Sequence, residues 1–118
     1  MARILLADDD KGSLDLVRRA LETDGHVVVT AEDGSEALAV LGDGSGFDLL
    51  VADVQMPGVD GIDLAKRARA KRPGLRIVLM SGYADVLEQA RVLDGVRLVT
   101  KPFTIDRIRA EARQALAG

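Results

Sequence analysis

A doubly wound α/β domain, with five parallel strands alternating with five helices, is the fold class this sequence predicts, and three observations carry it. Short apolar runs alternate five times with segments of helical period. That alternation implies a parallel sheet with right-handed crossovers and helices on both faces. Four of the runs also end in a polar residue or cluster: Asp8-Asp9-Asp10, Asp53, Ser81 and Lys101. On neighbouring parallel strands these ends share one sheet edge, where open α/β sheets bind ligands.

The elements follow in order. Arg3-Ile4-Leu5-Leu6-Ala7 is the first strand. The first helix is expected near Ser13 as N-cap, with Leu14, Val17 and Leu21 on one face and a stop at Gly25. Val27-Val28-Val29 reads as a short β-branched strand, and Ala37, Leu38 and Leu41 as a helical stripe ending at Gly42. The third strand runs from Phe47 through Ala52 to Asp53, and Met56-Pro57-Gly58-Val59-Asp60-Gly61 is a loop by its Pro and Gly content. Ile62, Ala65 and Ala68 mark a third helix closed by Pro73-Gly74, and Leu75–Met80 is the fourth strand. Val86, Ala90 and Val92 or Leu93 predict a weaker fourth helix. Val96–Thr100 is the fifth strand, and Thr104 caps a last helix carrying Ile105, Ile108, Ala112 and Leu116.

Length and composition set bounds on function. The 118 residues fit one domain, residues 1–118. Apolar residues make up 47% of the chain but aromatics only 3%, so Leu, Val, Ile and Ala must build the core. A net charge of −3 without long single-sign blocks gives no general affinity for nucleic acid or a membrane surface. The absence of Cys excludes disulfides and thiolate metal sites and suits a reducing compartment. No run approaches membrane-spanning length, and the start is too short in apolar residues for a signal peptide. A soluble cytoplasmic protein is the expectation.

Each strand end has a chemical reading and a plainer one. Asp8-Asp9-Asp10 sets carboxylates close enough to raise one another's pKa unless a cation such as Mg²⁺ compensates; it is equally an acidic loop favouring the following helix N-terminus. An EF-hand is excluded, because its Gly would fall on Ser13 and its closing Glu on Arg19. Asp53 is a nucleophile of aspartyl-phosphate type or a turn-initiating residue. A haloacid-dehalogenase-type phosphatase needs a second Asp two residues on, where Gln55 stands. Ser81 is a phosphoryl hydrogen-bond donor beside a permissive Gly82, or a turn serine. Lys101 is a partner for the strand-end carboxylates or a surface lysine, and its bond to Pro102 can be cis. His26 is read as a loop residue. The Gly42–Gly46 stretch is in the wrong context for a dinucleotide loop. Lys66, Arg67, Arg69, Lys71, Arg72 and Arg76 are read as a solvated helix face rather than a nucleic-acid patch.

Taken together, Ile4–Asp10, the stretch Asp53-Val54-Gln55-Met56-Pro57-Gly58-Val59-Asp60-Gly61, Met80-Ser81-Gly82 and Lys101-Pro102-Phe103 resemble the receiver domain of two-component response regulators over the whole chain. The resemblance implies the CheY-like strand order 2-1-3-4-5. It implies that Asp53 accepts the phosphoryl group and that Asp8, Asp9, Asp53 and the Gln55 carbonyl hold Mg²⁺, Asp9 directly and Asp8 in part through water. Ser81 is then the switch hydroxyl, Lys101 pairs with Asp53 and later with the phosphoryl, and Lys101–Pro102 is cis. The chain is not an enzyme on this reading, beyond its own phosphorylation and dephosphorylation.

The implied donor is a histidine kinase or histidine phosphotransfer protein. The implied output is an unnamed protein bound through the fourth helix, fifth strand and fifth helix, with no direct nucleic-acid or membrane contact. A phosphorylation-dependent dimer is left open. The stretches Arg-Ile-Leu-Leu-Ala-Asp-Asp-Asp and Thr-Lys-Pro-Phe are similar to CpdR-type stand-alone receivers of alphaproteobacteria, and the end soon after the fifth helix is read in the same way. Leu98 departs from the family, which usually has Tyr or Phe there. Tyr83 and Gln55 occupy positions that tune loss of the phosphoryl group. Two alternatives remain: a phosphorylation-independent interaction module, or pseudo-receiver, and a phosphatase of small molecules. The first should lack one of the four key residues, and the second would need a further acid near Asp53.

Overall fold

A parallel sheet buried on both faces places the site. The computed structural model describes residues 1–42 and 46–117, so Asp43, Gly44 and Ser45 of the Gly-rich stretch lie outside the described residues. The strands are β1 (Arg3–Ala7), β2 (Val27–Ala31), β3 (Leu49–Asp53), β4 (Arg76–Ser81) and β5 (Arg97–Thr100). The α-helices are α1 (Lys11–Thr23), α2 (Gly34–Leu41), α3 (Gly61–Lys71), α4 (Ala84–Glu88) and α5 (Ile105–Ala117), and a 3₁₀ turn, Gln89–Val92, follows α4. The strands are all parallel, in the expected order β2-β1-β3-β4-β5.

Two-residue alternation along the strands feeds two cores. Ile4, Leu6, Leu49, Val51, Val78 and Met80 pack against α1 and α5 through Val17, Leu21, Ile108 and Ala112. Leu5, Ala7, Leu50, Ala52, Ile77 and Leu79 pack on the other face with Leu41, Leu64, Ala65 and Leu87. Strands covered on both sides must be apolar at every position, which is why β3 reads Leu-Leu-Val-Ala before its Asp.

Local chemistry sets the helix ends. Asp10, not Ser13, caps α1: its side chain accepts from the Gly12 N–H, so the helix begins two residues before the expected cap. Asp33 and Asp60 cap α2 and α3 by accepting from Glu36 N and Asp63 N. Thr104 Oγ1 accepts from Arg107 N, as its position predicts. Gly25, at φ +86°, follows the C-cap of α1 in a conformation that favours glycine.

The fourth helix differs from expectation. It is α-helical for one turn only and then tightens into the 3₁₀ turn. Leu87 and Ala90 are buried, Leu93 packs partly against the core, and Val92 is 75% exposed. A core this rich in Ala leaves little apolar area to hold a longer helix on this flank. His26 is tied more firmly than a plain loop residue, since its Nδ1 accepts the Ala2 N–H at 3.1 Å.

Candidate functional site

Three strand ends share one local device. At each, a side-chain oxygen of residue i accepts the backbone N–H of residue i+2: Asp8 Oδ1 from Asp10, Asp53 Oδ1 from Gln55, and Ser81 Oγ from Tyr83, all at 3.0 Å. Short polar side chains make this bond readily, and it turns the chain sharply as it leaves the sheet. The turn reading and the chemical reading of these residues are therefore compatible. One oxygen or lone pair shapes the backbone while the rest of the group stays available.

The sheet brings the ends together. Asp53 lies opposite Met80, and Ser81 opposite Thr100. Lys101 N donates to the Ser81 carbonyl at 2.8 Å, and Asp8 N to the Ala31 carbonyl at 3.1 Å. Lys101 Nζ reaches Asp53 Oδ2 at 2.6 Å and stands 3.7 Å from Asp8 Oδ2. The Lys101–Pro102 bond is cis, as expected. Asp8, Asp53 and Ser81 are buried, Lys101 is partly buried, and Asp9 is exposed at the rim.

Burial dominates the electrostatics of Asp8 and pushes its carboxyl above the ordinary value. The Asp10 N–H and the Lys101 charge oppose that rise, and the Asp53 charge adds to it. Burial also works against the charge on Lys101. Its hydrogen bond to Asp53 and the negative charges of Asp53, Asp8 and Asp10 outweigh this, and its ammonium is held above the usual lysine value.

Oxygens of Asp8, Asp9 and Asp53 lie within 4.8 Å of one another, close enough to share one cation. Asp8 Oδ2 is buried with no hydrogen-bond partner. An orphaned buried carboxylate oxygen is costly, and a hard divalent cation satisfies it. The donor set fits such an ion.

One contact was not legible in the sequence. Ser81 Oγ donates to Gln55 Oε1 at 2.9 Å, bridging β4 to the loop after β3. Tyr83 meets Ser81 through its backbone, while its residue is 63% exposed. Leu98 packs partly against the core below α4. A Cβ at Gly82 would meet no protein atom within 4 Å, so the space beside Ser81 is open. Close approach of protein to protein occurs at Gly61 and Gly34, which press on Asp53-Val54 and on Val59. No helix of the described residues is long and apolar enough to cross a membrane.

The family described as response regulator receiver domain matches residues 4–113. Transcriptional regulatory protein TcrA of Mycobacterium tuberculosis is 35% identical over 113 residues, covering 94% of this chain and 44% of TcrA. Sporulation initiation phosphotransferase F of Bacillus subtilis is 29% identical, over 97% of this chain and 93% of that protein. The crystal structure of the receiver domain of NtrX from Brucella abortus superposes with a TM-score of 0.87 at 31% identity, covering 97% of this chain and 98% of that one. The chain spans about half the length of the transcriptional regulators it matches.

Proposed function

The chain belongs to the response regulator receiver family, and from that premise we propose that residues 1–118 form one receiver whose Asp53 accepts a phosphoryl group from phosphohistidine. The observation that carries the reading is the Lys101–Asp53 pair at 2.6 Å, set beside the Asp8 and Asp9 carboxylates on one sheet edge. A carboxylate oxygen of Asp53 bonds to phosphorus as the P–N bond of the donor breaks. The electron pair of that bond leaves with the donor imidazole, which departs neutral when its other ring nitrogen carries a proton.

Mg²⁺ held by Asp8, Asp9, Asp53 and the Gln55 carbonyl supplies charge compensation for the phosphoryl oxygens. The protein's own part is positioning and electrostatics. Lys101 transfers its hydrogen bond from the carboxylate to the phosphoryl. Ser81 exchanges Gln55 Oε1 for a phosphoryl oxygen, which draws the loop after β4 inward. The modification adds nearly two negative charges, and its effect passes to the surface of α4, β5 and α5, where an output protein binds. Leu98 leaves no aromatic ring to follow the switch, so α4, only one turn long before its 3₁₀ segment, is the element that responds. The donor is a histidine kinase or phosphotransfer protein, and the only turnover is loss of the chain's own phosphoryl group.

Incubation with acetyl phosphate and Mg²⁺, read by intact mass, tests this. One phosphoryl adduct is expected on the wild-type chain, with none in Asp53→Asn and none in excess chelator. If neither acetyl phosphate nor a phosphorylated kinase panel yields an adduct, the phosphorylation-independent interaction module replaces this reading.

A further inference from the structure

Of the basic residues read from sequence as a solvated face, Lys66 and Arg67 are exposed, while Arg69, Lys71, Arg72 and Arg76 are engaged at the opposite end of the sheet. Arg69 Nε donates to the Leu75 carbonyl and Arg76 Nη1 to the Leu116 carbonyl, each at 2.9 Å. Lys71 Nζ donates to the Gly42 carbonyl and Arg72 Nη1 to that of Phe47. Two of these side chains, Arg69 and Arg76, join Arg97 in lining one cleft of about 360 Å³, together with Gly74, Gly95 and Gln114. They come from three places: the last turn of α3, the first residue of β4 and the first residue of β5.

Among the described residues no carboxylate lines this cleft. Arg97 is compensated, since its Nε donates to Glu111 Oε2 at 2.7 Å and its Nη2 to Gln114 Oε1 at 2.5 Å. Arg69 and Arg76 have no acidic partner among the described residues. Each uses one N–H on a backbone carbonyl, and a guanidinium has five. The carbonyl bonds fix the side chains and leave most of each fork free. Arg76 also lines a neighbouring cleft, with Asp48 and Leu116.

We propose that this cleft binds a small phosphate-bearing anion, orthophosphate or diphosphate, either free or as the terminal group of a nucleotide. Guanidinium forks match phosphate oxygens two at a time. The volume lies in the range of small-ligand sites, about 300–1,000 Å³. A Cβ at Gly74 or Gly95 would meet nothing within 4 Å, so these walls are open. The chain as a whole carries −3, so attraction here is local to the cleft. The site is independent of Asp53 phosphorylation. It sits at the far ends of β4 and β5, the strands whose other ends hold Ser81 and lead into Lys101.

The test is a titration of the ¹⁵N-labelled full chain in EDTA, which keeps metal from the carboxylate cluster, at about 150 mM salt. Sodium diphosphate, ADP and adenosine are added separately. Saturable amide shifts are expected at Gly74, Arg76, Gly95 and Ala115 with diphosphate and ADP, and none with adenosine. Equal affinity for the two supports a bare phosphate site, and tighter ADP binding supports a nucleotide.

Gln114→Glu keeps an acceptor for Arg97 while placing a negative charge in the lining, and should weaken binding by about tenfold or more. Arg69→Gln and Arg76→Gln should each do the same with the melting temperature monitored, while Lys66→Gln, outside the lining, should not. Two results overturn the proposal: no saturable shift by about 10 mM diphosphate, or binding reduced as much by Lys66→Gln as by Gln114→Glu.

Discussion

Gly61→Ala is expected to destabilise the chain by about 3 kcal/mol or more, lowering its melting temperature by roughly 10 °C. Gly61 opens α3, and its N–H donates to the Val54 carbonyl at 2.9 Å. A Cβ there would lie 2.7 Å from Val54 Cα and closer still to the Asp53 carbonyl oxygen. Both obstacles are backbone, so no rotamer change relieves them. The helix must retreat from the end of β3, and the backbone it displaces is the one that presents Asp53. The matched control is Gly74→Ala, where the added methyl meets nothing within 4 Å and a change within about 0.5 kcal/mol is expected. Urea melts of both variants, with phosphoryl uptake from acetyl phosphate measured on the folded fraction, separate the effects. A Gly61→Ala chain as stable as the Gly74→Ala control would show that the helix start can shift without cost.

That glycine marks a limit of what the sequence discloses. The four strand ends were legible because a two-face-buried parallel strand leaves a continuous apolar run, and its first polar residue stands out. Asp8, Asp53, Ser81 and Lys101 were found in this way, and the structure brings all four to one edge. The first helix start was misplaced because its apolar stripe begins only at Leu14. The opening turn, Lys11-Gly12-Ser13, carries no periodic signal, and the cap lies in the acidic triplet itself. The α4 stripe was real in spacing, yet the change to 3₁₀ geometry turned Val92 outward and left burial to Leu87 and Ala90. Pressure of Gly61 on Asp53, the Ser81–Gln55 bond and the shared cleft of Arg69, Arg76 and Arg97 all join residues on different elements. No periodicity records such meetings.

Lys101→Met is expected to cost about 2–3 kcal/mol at neutral pH without metal, just below the range for breaking a fully buried pair because Lys101 keeps some exposure. Lys101 is the cation beside both Asp53 and Asp8, and Asp8 Oδ2 has no hydrogen-bond partner. Without it two buried carboxylates face each other uncompensated. The pH dependence follows from the signs. Lys101 has a folded pKa above the unfolded value, so its contribution is complete below the unfolded pKa and is lost as pH rises through the folded one. Asp8 behaves in the opposite sense to a salt-bridged acid. Its folded pKa is raised, so the folded chain binds a proton where the unfolded chain does not, and Asp8 destabilises less as pH falls through that window. Asp24, held below its usual value chiefly by its hydrogen bond to Arg109, loses its contribution as pH falls through its folded pKa. Acid should therefore narrow the gap between Lys101→Met and wild type. Mg²⁺ should narrow it too, by binding the carboxylates the lysine no longer neutralises. Asp8→Asn should reverse both trends: a metal-free chain more stable than wild type at neutral pH, and a stability that no longer responds to Mg²⁺. Urea melts of the three chains in EDTA and in Mg²⁺ across the acidic range measure all of this. A Lys101→Met penalty indifferent to Mg²⁺ would mean that the lysine acts through packing, and that the carboxylates below it do not form a cation site.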